Sequence, residues 1–192
     1  MNFDKIKAFA FDLDGTIVNS QLDFEQMRKD LNFPENVPIL EHLDLLDDEG
    51  VKKRSLEIIN SHEEEGASVA TLINGVEALL EKLGDLNKPI GILTRNSKHV
   101  ALLSLAKFNL NFDIVLSRDC CKSKPHPEGL EIMASRWGIS TREIAFVGDH
   151  LFDMHTAIAA SSLGVLYDPL REKSDCSNYH IINDYRELLN SL

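Results

Sequence analysis

The sequence predicts an α/β fold: a doubly wound parallel sheet, with a small all-helical segment inserted after the first strand. Short, near-continuous apolar runs recur along the chain, the pattern of strands buried on both faces of a parallel sheet. Amphipathic stretches separate these runs, and strands alternating with helices indicate a doubly wound arrangement. From about Ser20 to Asn74 the alternation stops and only helical pattern remains.

In chain order, Ile6–Phe11 is the first strand-like run. The insertion follows with helical patterns over Leu22–Leu31, Ile39–Leu46 and Val51–His62, the first junction punctuated by Pro34 and Pro38. The short run Glu63-Glu64-Glu65 reads as a solvated helix end. A helix over Val76–Leu83 leads to a strand at Ile90–Leu93, and Ser97 is placed to cap the helix Lys98–Phe108. Ile114–Leu116 is the next strand. Pro127 and Glu128 then open the helix Glu128–Trp137, with proline in the first turn and a carboxylate at the positive end. Strands at Ile144–Val147 and Leu163–Leu166 flank a helix over Leu151–Ala160, and Tyr185–Leu189 closes the chain as a helix. The expected division is a core of residues 1–19 and 75–192 with a helical insertion at 20–74.

A chain of 192 residues, 43% hydrophobic and 27% charged, suits one domain carrying a modest insertion. No apolar run approaches the roughly 18 residues that span a bilayer. The N-terminus enters a strand-like segment without a basic-then-apolar leader, so the expected location is cytoplasmic. The formal charge is −11, and the insertion alone holds thirteen acidic residues against five basic ones, a net of −8. That balance argues against a nucleic-acid polymer or an anionic membrane as the main partner. Cys120, Cys121 and Cys176 fit neither a disulfide framework nor a zinc pattern. They read as free thiols, with a redox role for the vicinal pair as the alternative.

Four segments carry chemistry, each at the expected end of a strand or in a turn that enters a helix. Phe11-Asp12-Leu13-Asp14-Gly15-Thr16 follows the first run. In extended backbone, residues i and i+2 point the same way, so Asp12 and Asp14 can project together. Paired carboxylates attract a hard divalent cation such as Mg²⁺, and Gly15 permits a sharp turn and close approach to a phosphate. Gly148-Asp149-His150-Leu151-Phe152-Asp153 supplies a second acidic pair, on one helix face if the helix has already begun at Asp149; Asp149 alone could simply cap that helix. Leu93-Thr94-Arg95-Asn96 offers a hydroxyl and backbone N–H groups as an anion cradle. Lys122-Ser123-Lys124-Pro125-His126-Pro127 is a basic turn, in which Lys124 can supply positive charge to a phosphoryl group. Taken singly, the last two are equally compatible with ordinary polar loops.

Together D-L-D-G-T, T-R-N, K-x-K-P-x-P and G-D-x-x-x-D resemble, in order and placement, the haloacid dehalogenase superfamily. The likeness is to its phosphoglycolate-phosphatase-like members with a small helical cap, and it covers essentially the whole chain. The resemblance implies a magnesium-dependent phosphatase in which Asp12 is the nucleophile and Asp14 the acid and base. It implies that Thr94 and Lys124 complete the catalytic set, and that Gly15, Arg95 and Asn96 contact substrate. Mg²⁺ would be held by Asp12, the Asp14 carbonyl and Asp149, with Asp153 acting through a water or orienting the shell. Such a site supplies locally the positive charge that an acidic protein lacks. The implied substrate is a small phosphorylated metabolite and the default state a monomer, with cap hinges near Asn19–Gln21 and Asn74–Gly75. Lys52, Lys53 and Arg54 either face substrate or form a solvated helix face, and of the nearby histidines His126 is the candidate to reach it. Asp14, Asp149 and Asp153 argue against a dehalogenase. A sugar-phosphate mutase of the same superfamily stays open, as does a non-catalytic phospho-accepting or binding module.

Overall fold

The computed structural model describes residues 3–170 and 178–192. The chain forms two compact units, Ser20–Ala70 and the remainder. In the larger unit lie β1 (Ala8–Phe11), β2 (Val18–Asn19), β3 (Thr71–Leu72), β4 (Ile90–Leu93), β5 (Ile114–Leu116), β6 (Ile144–Gly148), β7 (Leu163–Tyr167) and β8 (His180–Ile182). The smaller unit holds α1 (Phe24–Leu31), α2 (Ile39–Asp44) and α3 (Glu49–Val69). Helices α4 (Val76–Asp85), α5 (Lys98–Lys107), α6 (Glu128–Trp137), α7 (Leu151–Ala160) and α8 (Tyr185–Leu189) belong with the sheet.

Six strands make one sheet in the order β5-β4-β1-β6-β7-β8, and every pairing in it is parallel. The strand order reverses at β1, with β4 and β5 laid to one side and β6 to β8 to the other. Open sheets of this kind bind ligands at the carboxyl ends of the strands beside such a switch. Burial on both faces explains the continuous apolar runs. Ala8 and Ala10 of β1 join Leu93, Leu130, Met133 and Phe146 in one core cluster. Phe9 and Phe11 are fully buried and stack on each other, with ring centroids 6.3 Å apart.

The smaller unit has its own core of Met27, Leu31, Ile39, Leu43 and Ile59. Asp23 and Asp48 cap α1 and α3, each accepting a backbone N–H at 2.9 Å. The helix α3 runs well beyond the expected Val51–His62. Asp48 starts it earlier, and Glu63-Glu64-Glu65 continues it rather than ending it. Glu64 and Glu65 are exposed as a solvated face requires, whereas Glu63 is only 6% exposed. Of the basic residues there, Lys52 pairs with Glu49 at 3.8 Å, and Lys53 and Arg54 are exposed.

Several features lay beyond the sequence pattern. β2 and β3 are a two-residue antiparallel pair, Val18 with Leu72 and Asn19 with Thr71; the sequence pattern marked no strand at β2, and at β3 the expectation was helix alone. This pairing places residues 71–74 with the sheet, so the chain crosses between units at Asn19/Ser20 and Ala70/Thr71. Gly75 packs against Tyr185 Cβ within the sheet unit. β8 is too short for a periodic signal, and β1 starts at Ala8 because Ile6 N–H turns back to the Phe3 carbonyl. Cys120 and Cys121 are free; the Cys121 thiol is pushed up to about 11, chiefly by burial. Cys176 lies outside the described residues. Among the described residues no helix is long and apolar enough to cross a membrane.

Candidate active site

The strand ladders deliver the motif residues to one end of the sheet. Asp12 N–H continues the β1–β6 ladder onto the Val147 carbonyl at 2.9 Å, and Thr94 N–H continues β4–β5 onto the Leu116 carbonyl at 3.0 Å. Both residues are thereby fixed just past strands that are neighbours in the sheet. Asp149 follows β6, the neighbour of β1 on its other side. Lys124 arrives from the loop between β5 and α6.

Lys124 Nζ lies 2.6 Å from Asp12 Oδ1 and 2.6 Å from Asp153 Oδ1, with its side chain 3% exposed. Carboxylate oxygens of Asp12, Asp149 and Asp153 all lie within 4.8 Å of one another. Asp153 is completely buried. It does not meet Asp149 as i and i+4 on one helix face, because α7 begins only at Leu151. Instead His150 caps the helix, and the Asp153 Oδ2 accepts the His150 N–H at 2.9 Å, bending the third helical residue back to the loop. His150 Nδ1 in turn accepts the Phe152 N–H at 3.1 Å. His126 and His155 are exposed, and His126 Nδ1 accepts the Glu128 N–H at 3.2 Å.

Two glycines make room for the acids. Gly15 adopts φ +78°, and a Cβ there would sit 2.5 Å from the Asp149 carboxyl carbon. At Gly148 a Cβ would collide with the Asp153 side chain. Neither approach tolerates a larger residue without movement. Gly15 therefore abuts an acid of the cluster, where the motif suggested a phosphate.

The electrostatics show what this cluster lacks. Burial, against the opposing pull of Lys124, drives the Asp12 carboxyl well above its ordinary range, and Asp153 and Asp149 add to the shift. Burial also works against the Lys124 ammonium, but Asp12 and Asp153 override it and hold that lysine above its usual value. Three carboxylates facing one ammonium leave an uncompensated charge of about −2 when all are ionised. An all-oxygen donor set with that excess suits a hard divalent cation. Asp12, Asp149 and Asp153 are thus the residues able to hold one. The resemblance implied that Asp153 acts through a water or orients the shell; here its Oδ1 meets Lys124 and its Oδ2 accepts the His150 N–H.

The remaining residues are tied to one another. Asp14 is not in the carboxylate cluster; its Oδ2 accepts from Asn96 Nδ2 at 2.6 Å. Thr94 Oγ1 accepts the Asn96 N–H at 3.1 Å. Arg95 lays its guanidinium over the Phe152 ring, 4.6 Å from the centroid, and donates to the Lys124 carbonyl at 3.1 Å. It thereby joins the loops after β4 and β5 to the first turn of α7. Thr16 donates to Asp149 Oδ1 at 3.4 Å, and the Thr16 carbonyl accepts the Tyr185 hydroxyl at 2.7 Å. Thr16 and Gly148 sit inside the quoted motifs, and their roles were open to inference from them. Tyr185, 169 residues from Thr16 in sequence, left no signal.

A doubly wound sheet with acids and a lysine gathered at its switch point makes a site for a cation and an anionic ligand. A family model for haloacid dehalogenase-like hydrolases matches residues 21–163. The chain belongs to that family and is a hydrolase. It is 27% identical over 190 residues to an uncharacterized hydrolase of Saccharomyces cerevisiae, covering 96% of this chain and 84% of that one. It is also 27% identical to the phosphoglycolate phosphatase of Chromobacterium violaceum, over 86% of each chain. The crystal structure of a predicted phosphoglycolate phosphatase from Haemophilus somnus matches with a TM-score of 0.75 at 21% identity, covering 97% of both chains.

Proposed function

We propose that this hydrolase is a phosphoric monoester hydrolase that works with Mg²⁺ on a small organic phosphate through an aspartyl-phosphate at Asp12. The observation that carries the reading is the carboxylate cluster of Asp12, Asp149 and Asp153, in which the buried Lys124 bridges Asp12 and Asp153. Relatives named phosphoglycolate phosphatase and, in Oceanobacillus iheyensis, pyrophosphatase support phosphate chemistry.

Asp12 attacks phosphorus, and its carboxylate oxygen displaces the ester oxygen. Splitting one displacement into two through a covalent intermediate lowers each barrier. Asp14 gives a proton to the departing oxygen, then takes one from the water that cleaves the acyl-phosphate. Thr94 and the backbone N–H of Arg95 donate to phosphoryl oxygens, and Lys124 offsets charge beside the nucleophile. Asp12, Asp149 and Asp153 would hold the metal, which when bound would neutralise the charge that keeps an anionic nucleophile from an anionic phosphate. The role of Arg95 is positional, since its side chain is engaged by Phe152 and the Lys124 carbonyl.

The test is phosphate release from a panel of small esters, with Mg²⁺ and with EDTA, for wild type and Asp12→Asn. Release that needs Mg²⁺ and vanishes in the variant is expected, and the ranking of esters begins to define the substrate. A folded wild type that releases no phosphate from any ester in Mg²⁺ overturns the reading and brings phosphoryl transfer between sugar hydroxyls forward.

A further inference from the structure

We infer that Asn96 is a positioning residue for Asp14, holding its carboxyl group in the orientation from which it protonates the leaving group. The inference rests on the phosphatase reading and deepens it. Its starting point is the 2.6 Å bond from Asn96 Nδ2 to Asp14 Oδ2, spanning 82 residues of sequence. The T-R-N motif suggests a substrate contact for Asn96, yet its side-chain amide is directed to another protein group.

The asparagine is held rigidly. Its N–H donates to Thr94 Oγ1 at 3.1 Å, and its carbonyl accepts the Arg118 N–H at 3.2 Å. It is 7% exposed, and the next residue, Ser97, caps α5. Asp14 is placed differently. It lies beyond the end of β1, in the turn where Gly15 N–H reaches the Val18 carbonyl, and it is only partly buried. A carboxyl group on two rotatable bonds needs an external anchor to keep one orientation. Asn96 supplies such an anchor.

The bond also distinguishes the two oxygens. An amide nitrogen only donates, so Oδ2 is held as an acceptor and the proton for the leaving group belongs on Oδ1. The backbone of the same residue orients Thr94. With one Oγ1 lone pair taken by the Asn96 N–H, the hydroxyl hydrogen is directed elsewhere, as donation to a phosphoryl oxygen requires. In the step itself, an Asp12 oxygen–phosphorus bond forms while the phosphorus–ester oxygen bond breaks. The electron pair leaves with the ester oxygen, and the proton on Asp14 Oδ1 follows it, giving a neutral alcohol and an ionised Asp14.

The test exploits the leaving group. p-Nitrophenolate departs without a proton, whereas an alkoxide needs one, and kcat/KM reports the steps up to that departure. Asn96→Ala is expected to lower kcat/KM by about 10- to 100-fold on the alkyl phosphate the wild type turns over fastest, but by less than about 3-fold on p-nitrophenyl phosphate. Asn96→Leu keeps much of the volume, removes the donor without adding charge, and is expected to show the same split; it serves if the alanine variant does not fold. In an Asp14→Asn background the Asn96→Ala change is expected to add no further loss on the alkyl ester, as for residues acting through one another. With an active wild type, equal losses on both esters, or no loss, overturn the role of Asn96 alone. A wild type that hydrolyses neither ester overturns the phosphatase reading and this role with it.

Discussion

At the scale of single residues, the site is a problem of crowding like charges in a buried space. Lys124 answers part of it by bridging Asp12 and Asp153, both at 2.6 Å. Gly15 and Gly148 answer another part by giving up their side-chain volume to Asp149 and Asp153. Gly15→Ala is therefore expected to displace Asp149, raising the Mg²⁺ concentration for half-maximal activity by about 10- to 100-fold, the usual effect of disturbing a group that orients a ligand. A Mg²⁺ titration of activity checks this, and an unchanged requirement contradicts it. That Asp12, Lys124, Asp149 and Asp153 come together was readable from sequence because each sits in a compact motif at a strand end or helix entrance. The partner of Asn96 was not, since residue type and spacing say nothing about which of two nearby groups an amide will choose.

At the scale of elements, α8 supports the loop after β1 from the far end of the chain. Tyr185 is fully buried, stacks on Tyr167 with ring centroids 4.8 Å apart, and donates to the Thr16 carbonyl. Burial holds its hydroxyl well above the ordinary tyrosine value, so it stays a donor. Tyr185→Phe leaves that carbonyl unsatisfied and is expected to cost about 1–3 kcal/mol in urea denaturation; no change contradicts the support role. The same helix is capped by Asp184, whose carboxyl is held down to about 2, first by its hydrogen bond from Arg186. The folded value lies below the ordinary one, so this contribution is complete above the usual carboxylate range. It fades as pH falls towards about 2. The stability difference between wild type and Asp184→Asn, followed from about pH 5 downward, is expected to shrink with acid; a constant difference contradicts the assignment. The larger helices and central strands were legible because their apolar periods run long enough to register. β2, β3 and β8 were not, being two or three residues long and fixed by pairing rather than by pattern.

At the scale of the molecule, an acidic chain gathers three carboxylates and one buried lysine beside the switch point of its sheet. The family match and the parallel sheet agree with what the ordered motifs implied. The insertion was visible as a break in the strand–helix rhythm. Its inner boundary fell at Ala70 because Thr71 and Leu72 pair with β2, and no pattern in so short a stretch announces that. The central claim is that Asp12 carries phosphate during turnover. Its most direct test is a single turnover with Mg²⁺ and the best ester, quenched rapidly in acid and read by peptide mass spectrometry. A gain of one phosphoryl group on Asp12, absent in Asp12→Asn, is the predicted result. Phosphate released at full rate, with Asp12 unmodified at every time point, would contradict the account.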